Sequence, residues 1–401
     1  MNEKTLFQLA LGLSDPWFVS DTKFDPAAKQ LDIYLDFRRG STFPCPECGK
    51  PGKVHDTEEK TWRHLNFFQH QAYLHARVPR TRCEEHGVRL VDVPWGRKQS
   101  GFTLLFEALV MMLARQMPVN ALAELLQVTD QRLWRILKHY VLADVERMDL
   151  SGLTSVGIDE TAARRGHNYV SLFVDMDEKK VVYVTEGKDS QTIEAFTGHL
   201  VSHGGAPEAV REVVCDMSPA FISGVETHLP EAAITFDRFH VVKLLNTAVD
   251  DVRREEQRTE GDLKSTRYLW LKNPGNLTNA QAMMLHGLSR SKLKTARAYR
   301  MKLVFQEIYK LPCRWAEAAL EGWYQWGIRS RLTPIVEFAR MLRRHWNGIL
   351  RWFTSKLNNG LLEGLNSLIQ AAKARARGYR SVENFTLIIY LIVGHMGLLP
   401  T

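Results

Sequence analysis

The segment that decides the fold begins with Val156-Gly157-Ile158-Asp159-Glu160 and continues to Val213-Val214-Cys215-Asp216-Met217. Both stretches contain a run of β-branched or apolar residues that ends in an aspartate. Such a run is typical of a buried strand, and a carboxylate at its C-terminal end lies at the sheet edge where ligands bind. Two aspartates at one edge repel each other unless a cation neutralises them, so the pair predicts a shared metal site. Oxygen ligands of this kind favour Mg²⁺ or Mn²⁺.

The residues around these aspartates predict an α/β domain. In chain order, the predicted elements are strands at 155–159, 169–175 and 181–186, a helix at 192–203, a strand at 210–216, a helix from 219 and a strand at 232–236. Three antiparallel strands followed by strand–helix alternation is the order of a ribonuclease H-like fold. Asp159 would then lie on the central first strand, and Asp216 would lie at the end of the neighbouring fourth strand.

A third carboxylate for this site is expected at Glu363, near the start of a predicted helix. The polar residues that share one side of this helix with the glutamate are Asn366, Ser367 and Gln370. The opposite side, predicted to dock on the sheet, consists of Leu361, Leu365, Leu368 and Ala372. The positively charged residues that follow on the chain are Lys373, Arg375, Arg377 and Arg380. Taken without the two aspartates, Glu363 is more typical of a surface residue favoured by the helix dipole.

Two ligand pairs near the N-terminus predict a zinc ribbon. Each pair is spaced by two residues and followed by glycine, in Cys45-Pro46-Glu47-Cys48-Gly49 and in Cys83-Glu84-Glu85-His86-Gly87. The tight turn directs backbone amides at a thiolate, and glycine permits that turn. The fourth ligand stays open at this point, because other histidines compete with His86; they are His55, His64, His70 and His75. Basic residues around the knuckle predict phosphate contacts or a plain solvated surface: Arg77, Arg80, Arg82, Arg89, Arg97 and Lys98.

The residues after the ribbon predict a helix-turn-helix. A short helix at 119–126 is followed by Gln127-Val128-Thr129 and by a second helix with Leu133, Ile136, Leu137 and Tyr140 inward. In a helix-turn-helix the second helix reads DNA with its N-terminal half, where Gln131, Arg132 and Arg135 lie. An ordinary helical hairpin with a charged, solvated face would show the same pattern.

The composition supports a folded protein with a polyanionic partner. The chain has 401 residues, a net charge of +8 and a pI near 9.2, which favours nucleic acid as that partner. Residues 1–20 lack the layout of a signal peptide, and the apolar stretch at 385–399 is shorter than the ~20 residues that span a bilayer. Five unevenly spread cysteines do not form a disulfide framework. These features predict a cytoplasmic protein.

Four ordered blocks resemble the signature of the ISL-three family of bacterial insertion-sequence transposases. The blocks are Gly157-Ile158-Asp159-Glu160, Val214-Cys215-Asp216-Met217-Ser218, Phe236-Asp237-Arg238-Phe239-His240-Val241-Val242-Lys243 and Asn359-Gly360-Leu361-Leu362-Glu363-Gly364-Leu365-Asn366. The resemblance covers essentially the whole chain. It implies an N-terminal segment at 1–40, a zinc ribbon at 41–98, a helix-turn-helix at 99–150, a ribonuclease H-like DDE domain at 151–249 and 353–401, and a helical insertion at 250–352.

The resemblance also implies the roles of individual residues. Asp159, Asp216 and Glu363 would bind two Mg²⁺ or Mn²⁺ ions, and Asp237 and His240 match a block close to the active site. One structural Zn²⁺ would be bound by Cys45, Cys48, Cys83 and His86, although His86 stands where relatives often have a fourth cysteine. The cluster from Lys373 to Arg380 would hold phosphates near the cleaved bond.

The activity implied is transposition. Such an enzyme binds the terminal inverted repeats of its element, cleaves DNA strands with the help of metal ions and transfers them to target DNA. Synapsis of two ends predicts a homodimer or a larger assembly on DNA, associated with the bacterial nucleoid. One alternative is a zinc-ribbon and helix-turn-helix regulator with an inactive nuclease-like domain. Another is a structure-specific nuclease without strand transfer.

Overall fold

The computed structural model describes residues 2–164, 168–355, 360–394 and 397. The chain divides into two compact units, one comprising 1–142 with the last five residues and the other comprising 143–396. Asn359 of the fourth signature block and most of 395–401, which includes the end of the apolar stretch at 385–399, lie outside the described residues.

The first unit contains a six-stranded sheet. Its elements are α1 (Glu3–Ala10), β1 (Trp17–Asp25), β2 (Gln30–Phe37), β3 (Thr42–Pro44), β4 (Pro51–Phe67), β5 (His70–Cys83) and β6 (Gly87–Leu90). The strand order is β1-β2-β5-β4-β3, with β6 paired to β5. The pair β2 and β5 is parallel, whereas the other pairs are antiparallel. Residues 1–40 therefore contribute two strands to the sheet that carries the cysteine motifs.

Three helices follow the sheet: α2 (Leu104–Ala114), α3 (Val119–Leu126) and α4 (Asp130–Glu146). Leu122, Leu133 and Leu137 are completely buried and form the interior of this bundle. Between α3 and α4, Gln127 takes the left-handed conformation and ends α3. The predicted helix-turn-helix is thus present at the predicted residues, with the turn at 127–129.

Hydrogen bonds join the residues just before α2 to β4 near the C-terminal end of that strand. The backbone amide of Arg63 donates to Gly101 O, and that of Thr103 donates to Arg63 O. The Thr103 hydroxyl caps α2 by accepting from the Phe106 amide, and it also lies 2.9 Å from Nδ1 of His64. This hydroxyl therefore links the sheet directly to the first helix of the bundle.

Burial lowers the pKa of His64 to about 4, with a further contribution from the charge of Arg63. The pKa of His64 in the folded protein thus lies below its ordinary value of 6.5. Between pH 4 and 6.5, the unfolded chain therefore protonates His64 more readily than the folded protein does. The free energy of unfolding is therefore not reduced by His64 above pH 6.5, and it decreases by up to about 3 kcal/mol as the pH falls towards 4. We expect His64→Asn to flatten the pH dependence of thermal unfolding in this range. His55→Asn, at an exposed position, is the control; equal slopes for both variants would contradict the prediction.

The second unit is built on a five-stranded sheet. Its strands are β7 (Ser155–Ala162), β8 (Tyr169–Asp175), β9 (Lys180–Glu186), β10 (Glu212–Cys215) and β11 (Ala233–Phe236). The order is β11-β10-β7-β8-β9, in which β7, β8 and β9 are antiparallel while β10 and β11 run parallel to β7. The predicted order of strands and helices in this segment is confirmed, and β7 is the central strand.

Helices surround this sheet and make up most of the remaining chain. They are α5 (Gln191–Ser202), α6 (Pro219–His228), α7 (Arg238–Glu256), α8 (Arg267–Leu271), α9 (Asn279–Ser289), α10 (Lys294–Ile308), α11 (Cys313–Ile328), α12 (Thr333–Arg344), α13 (Trp346–Ser355), α14 (Gly360–Arg375) and α15 (Val382–Val393). On α13, Gly348 lies against the Phe236 ring of β11, where a Cβ would be only 2.5 Å from the ring. On α15, the Tyr390 hydroxyl accepts from the Val184 amide of β9. None of the helices in the described ranges is both long and apolar enough to cross a bilayer.

Candidate functional site

Asp159 and Asp216 lie on neighbouring parallel strands, but only Asp216 directly follows its strand, β10; Asp159 lies within β7, which continues to Ala162 instead of ending at the aspartate as predicted. The register pairs Val213 with Val156 and Val214 with Gly157. Continued two residues past the last pair, this register would bring Asp216 level with Asp159, and such strands are about 4.8 Å apart. Burial raises the pKa of Asp159, and the charge of Asp216 raises it further. The two predicted carboxylates therefore share one acidic edge.

The next strand brings Asp237 and His240 to the same edge. Phe236 pairs with Cys215, so Asp237 follows β11 as Asp216 follows β10. The Asp237 side chain is buried and caps α7 by accepting from the His240 amide, and its Oδ2 lies 3.2 Å from the imidazole Nδ1. This contact raises the pKa of His240, and the charges of Asp216 and Asp159 act in the same direction. An imidazolium is thereby favoured beside the two carboxylates.

Helix α14 lies along β7 and runs in the same direction. At its start, Leu362 covers Gly157, where a Cβ would be 2.7 Å from a leucine methyl. One turn later, Asn366 Nδ2 donates to Asp159 Oδ2 over 3.2 Å and to Glu160 O over 3.3 Å. Further contacts join Gln370 to Thr161 and Lys373 to the carbonyl of Ala162. The helix is thus fixed to the strand that carries Asp159.

Glu363 is exposed and lies three residues before Asn366. Residues spaced by three on a helix are neighbours on one face, about 5–6 Å apart at Cβ. Glu363 is therefore one turn from the amide that holds Asp159. Within the described part of the chain, its carboxylate does not form a close ligand cluster with those of Asp159 and Asp216, since the metal-type cluster found there is the one at Cys45, described below.

The predicted docking side of α14 is right for Leu365 and Ala372, which are buried, and wrong for Leu361 and Leu368. Leu368, expected to pack on the sheet, is 53% exposed, and Leu361 is only half-buried. The buried residues of the helix are Leu362, Leu365, Ile369 and Ala372. The helix is rotated from the expected orientation because the amides of Asn366 and Gln370 form hydrogen bonds with β7, which brings part of the polar stripe against the strand.

Two residues of this site were not identified from the sequence as functional. Asn366 was assigned only to the polar stripe, although it contacts Asp159 directly. Its Oδ1 is buried and has no hydrogen-bond partner among the described residues. Burial raises the pKa of Glu160, on which the charges of Lys188, Asp216 and His240 also act, so this carboxylate lies close to the same edge. The adjacent acidic pair Asp159-Glu160 was the sequence feature that could have indicated a functional role for Glu160.

The second candidate site gathers Cys45, Cys48, Cys83 and His86. One ligand atom from each residue lies within 4.8 Å of all the others. The distances are 3.7 Å from Cys48 Sγ to Cys83 Sγ, 3.6 Å from Cys83 Sγ to His86 Nδ1 and 3.9 Å from Cys45 Sγ to His86 Nδ1. A tetrahedral zinc ion with ordinary bond lengths requires about 3.8 Å between sulfurs and about 3.6 Å between sulfur and nitrogen. The four groups therefore have the spacing that zinc requires.

The surroundings of this cluster also suit zinc. Gly49 and Gly87 have φ values of +73° and +70°, which non-glycine residues adopt only with strain. The amides of His86 and Glu85 donate to the Cys83 thiolate and lower its pKa to about 6. Glu47 lies 3.6 Å from His86 Nε2, in the position of a carboxylate that orients a ligating histidine.

The other histidines proposed as fourth ligands lie elsewhere. His64 contacts Thr103, His75 contacts Asp32, and His70 packs against Phe24. His55 is an exposed residue of β4 that is not in the cluster.

The basic residues around the knuckle are largely ion-paired. The pairs are Arg77 with Asp36, Arg80 with Asp56, Arg89 with Glu47, Arg97 with Glu107, and Lys98 with Asp92. The pair at Glu107 is the most buried, because this carboxylate is inaccessible to solvent and also accepts from Ser100 and Tyr140. These charges are mostly neutralised within the unit, which favours the solvated-surface interpretation over phosphate contacts.

The basic residues predicted to contact DNA lie in two groups. On α4, Gln131, Arg132 and Arg135 are exposed, but the Arg132 guanidinium stacks 4.2 Å from the centre of the Phe102 ring. At the end of α14, Lys373 is held by the Ala162 carbonyl, whereas Arg375, Arg377 and Arg380 are exposed. Gln131 and Arg135 are thus the best placed of the α4 residues for contact with bases.

Matches to family models follow the same order along the chain. A model described as the zinc-finger of transposase IS204/IS1001/IS1096/IS1165 matches residues 41–86, and one described as the helix-turn-helix domain of transposase family ISL3 matches 91–141. A model described as Transposase matches 156–389. A zinc ribbon and a helix-turn-helix, followed by this α/β domain, define a transposase.

Two similar proteins match this chain over more than nine tenths of their length. The transposase for insertion sequence element IS1001 of Bordetella parapertussis is 32% identical over 380 residues, which is 91% of this chain and 92% of that protein. The transposase for IS1557 of Mycobacterium tuberculosis is 28% identical over 437 residues, which is 100% of this chain and 98% of that protein. The chain belongs to the ISL3 family of transposases.

Proposed function

We propose that this protein binds the terminal inverted repeats of its insertion sequence and catalyses metal-dependent DNA strand cleavage and strand transfer. The observation that carries the proposal is the parallel pairing of β10, which leads to Asp216, with β7, which holds Asp159 against Asn366 of the helix that also carries Glu363. We assign the second unit to the ribonuclease H-like fold, with 250–352 as its helical insertion. The strand order β11-β10-β7-β8-β9 supports this assignment.

The acidic edge fits two hard cations such as Mg²⁺ or Mn²⁺. Asp159 is a carboxylate whose ionised form burial disfavours, so a bound cation would favour it. The buried Oδ1 of Asn366 adds an oxygen without a partner among the described residues. Asp159, Asp216 and Glu363 would hold the ions, which when bound activate the attacking water or 3′-hydroxyl and stabilise the leaving oxygen.

The remaining residues of the edge would position the DNA and the carboxylates. Asn366 fixes the orientation of Asp159 through Oδ2, while the Glu160 amide donates to Oδ1. Asp237 orients His240, whose favoured imidazolium would contact a phosphate oxygen at the cleaved bond. Beyond α14, the exposed guanidinium groups of Arg375, Arg377 and Arg380 would contact flanking phosphates, with Lys373 nearer the strand.

In the first unit, α4 would read the inverted repeat in the major groove. Gln131 and Arg135 would contact base edges, and Arg132 would contact the backbone from its place over Phe102. Two such units are required to pair two ends, so the active form would be at least a homodimer on DNA. In the cell, we place it on the nucleoid in the bacterial cytoplasm.

We propose that the Cys45 cluster binds one structural Zn²⁺. Replacing Cys45 and Cys48 with serine removes two thiolates, so we expect loss of the ion and a decrease of at least tenfold in affinity for the inverted repeat. Elemental analysis and a binding titration measure the two effects. Cys313→Ser, at an exposed cysteine of α11, is the matched control. Unchanged zinc content in the double variant would contradict the assignment.

The function is tested on a supercoiled plasmid that carries the inverted repeats flanking this gene. We expect Mg²⁺-dependent breaks at the element boundary with free 3′-hydroxyl ends, and joining of those ends to target DNA. A DNA-binding regulator would protect the repeats without cutting them, and a nuclease would cut without joining. The family to which the chain belongs favours the transposase over the regulator.

A further inference from the structure

The tip of the β4–β5 hairpin carries an aromatic residue, Phe68, that is largely exposed apart from an edge-on contact with the Phe67 ring. Phe67 pairs with His70, so Phe68 and Gln69 form a two-residue turn between the two longest strands of the first unit. Phe68 is 80% exposed, and its φ is +52°. A bulky residue is disfavoured in this conformation, where Asn or Gly is usual, and its exposure forfeits the benefit of burial. Strain of this kind is commonly retained for function.

The tip lies beside the turn of the helix-turn-helix. Gln71, the second residue of β5, donates through its side-chain amide to the Gln127 side chain, which lies between α3 and α4. The backbone bonds of Arg63 with Gly101 and Thr103 fix the helices on the same two strands. The hairpin tip is therefore held close to the N-terminal end of α4, the end that would face DNA.

A second hairpin adds an aromatic and a cation at this end of the sheet. Because β2 runs parallel to β5, with Gln30 level with Gln71, the β1–β2 turn lies next to the tip. The backbone amide of Gln71 donates to the backbone carbonyl of Lys29, which is an exposed residue of that turn. Phe24 of β1 is 48% exposed and packs edge-on against His70. Phe68, Phe24 and Lys29 thus give this end of the sheet two exposed aromatic side chains and a cation, with the carboxylate of Asp25 at the start of the same turn as Lys29.

We propose that the β4–β5 tip is a second DNA-contacting element, which enters the minor groove next to the major-groove segment read by α4. Phe68 would pack against base edges or wedge between base pairs, as apolar side chains of minor-groove proteins do, and Lys29 would contact a phosphate. Since the tip and α4 belong to one unit, the two contacts would have a fixed spacing along the repeat. This inference rests on the proposed reading of DNA by α4.

Phe68→Ala and Phe68→Gly test this element in the full-length, zinc-loaded protein. The probe is a duplex that carries the inverted repeat flanking this gene. We expect about tenfold weaker binding and loss of hydroxyl-radical protection beside the α4 segment, with guanine N7 contacts to α4 retained. Glycine suits a positive φ, so Phe68→Gly should be at least as thermostable as the wild type, which separates weaker binding from misfolding. Trp315→Ala, at a comparably exposed aromatic of the second unit, should bind like the wild type.

Two outcomes would overturn the proposal. One is wild-type affinity and protection for both Phe68 variants. The other is a wild-type dimer in sedimentation that the Phe68 variants dissociate without any change of footprint, which would assign the surface to a second copy of the chain. Arg135→Ala tests the underlying function separately: unchanged guanine contacts in that variant would reject reading by α4, whatever the result for Phe68.

Discussion

Asp216→Asn is expected to lower the rate of Mg²⁺-dependent cleavage at the element ends by about a thousandfold or more. The amide has the shape of the carboxylate but lacks its charge, so the cations that the pair of aspartates holds would lose a ligand. Loss of about 4 kcal/mol of transition-state stabilisation corresponds to this factor. Affinity for the inverted repeat should stay within about twofold of the wild-type value, because α4 and the zinc ribbon are unchanged.

The comparison requires single-turnover cleavage and a binding titration on the same DNA. Asp159→Asn and Glu363→Gln should behave like Asp216→Asn, since the three carboxylates are proposed to act on the same ions. Asp177→Asn is the control, because Asp177 is an exposed residue of the turn between β8 and β9. Normal cleavage by any one of the three active-site variants would exclude that residue from the site.

Gly157→Val is expected to have the second-largest effect, although it removes no functional group. A Cβ at this position would lie 2.5 Å from the sulfur of Met176 and 2.7 Å from a methyl of Leu362. The side chains of Met176 and Leu362 must therefore shift, and we expect the shift of Leu362 to move the start of α14 away from β7, which separates Glu363 and Asn366 from Asp159. We expect cleavage to fall at least about a hundredfold, and such overpacking typically costs about 1–3 kcal/mol of stability.

Matched variants separate this displacement from general destabilisation. Gly152→Val is the control, because a Cβ at Gly152 meets no atom within 4 Å. Adding Leu362→Ala to Gly157→Val removes the close contact with α14, although not that with Met176, and should restore part of the cleavage rate. Thermal unfolding and single-turnover cleavage measure the two effects. Wild-type cleavage by Gly157→Val would show that cleavage does not require the close contact between α14 and β7 at Gly157.

The local parts of the fold could be predicted, because period-two and helical patterns are properties of short segments. The strand order from 155 to 236 and the helices around Gln127 are confirmed by the structure. The orientation of α14 could not be predicted, since it depends on hydrogen bonds from Asn366 and Gln370 to a strand about 200 residues earlier. A hydrophobic stripe alone favoured burial of Leu368, which is exposed.

The zinc cluster could also be predicted only in part. Spacing predicted the cysteines, but several histidines between the two ligand pairs had compatible positions. Only the β5–β6 hairpin, in which Cys83 pairs with Gly87, brings His86 of its turn into the cluster with the three cysteines. Likewise, a count of basic residues cannot show that Arg77 and Arg80 are neutralised by Asp36 and Asp56, which lie on other strands. The contact between Gly157 and Leu362 also joins residues far apart in the sequence, so local sequence patterns could not predict it.

The central claim is that Asp159, Asp216 and Glu363, which lie far apart in the sequence, share one cation site. Metal-directed cleavage of the protein itself tests this claim without DNA. Fe²⁺ replaces Mg²⁺, and ascorbate with peroxide then generates hydroxyl radicals that cut the backbone near the bound ion. We predict cuts near 159, 216 and 363 in the same sample, all suppressed by excess Mg²⁺. Cuts near 159 and 216 without any near 363 would contradict the account, because Glu363 would then lie outside the site.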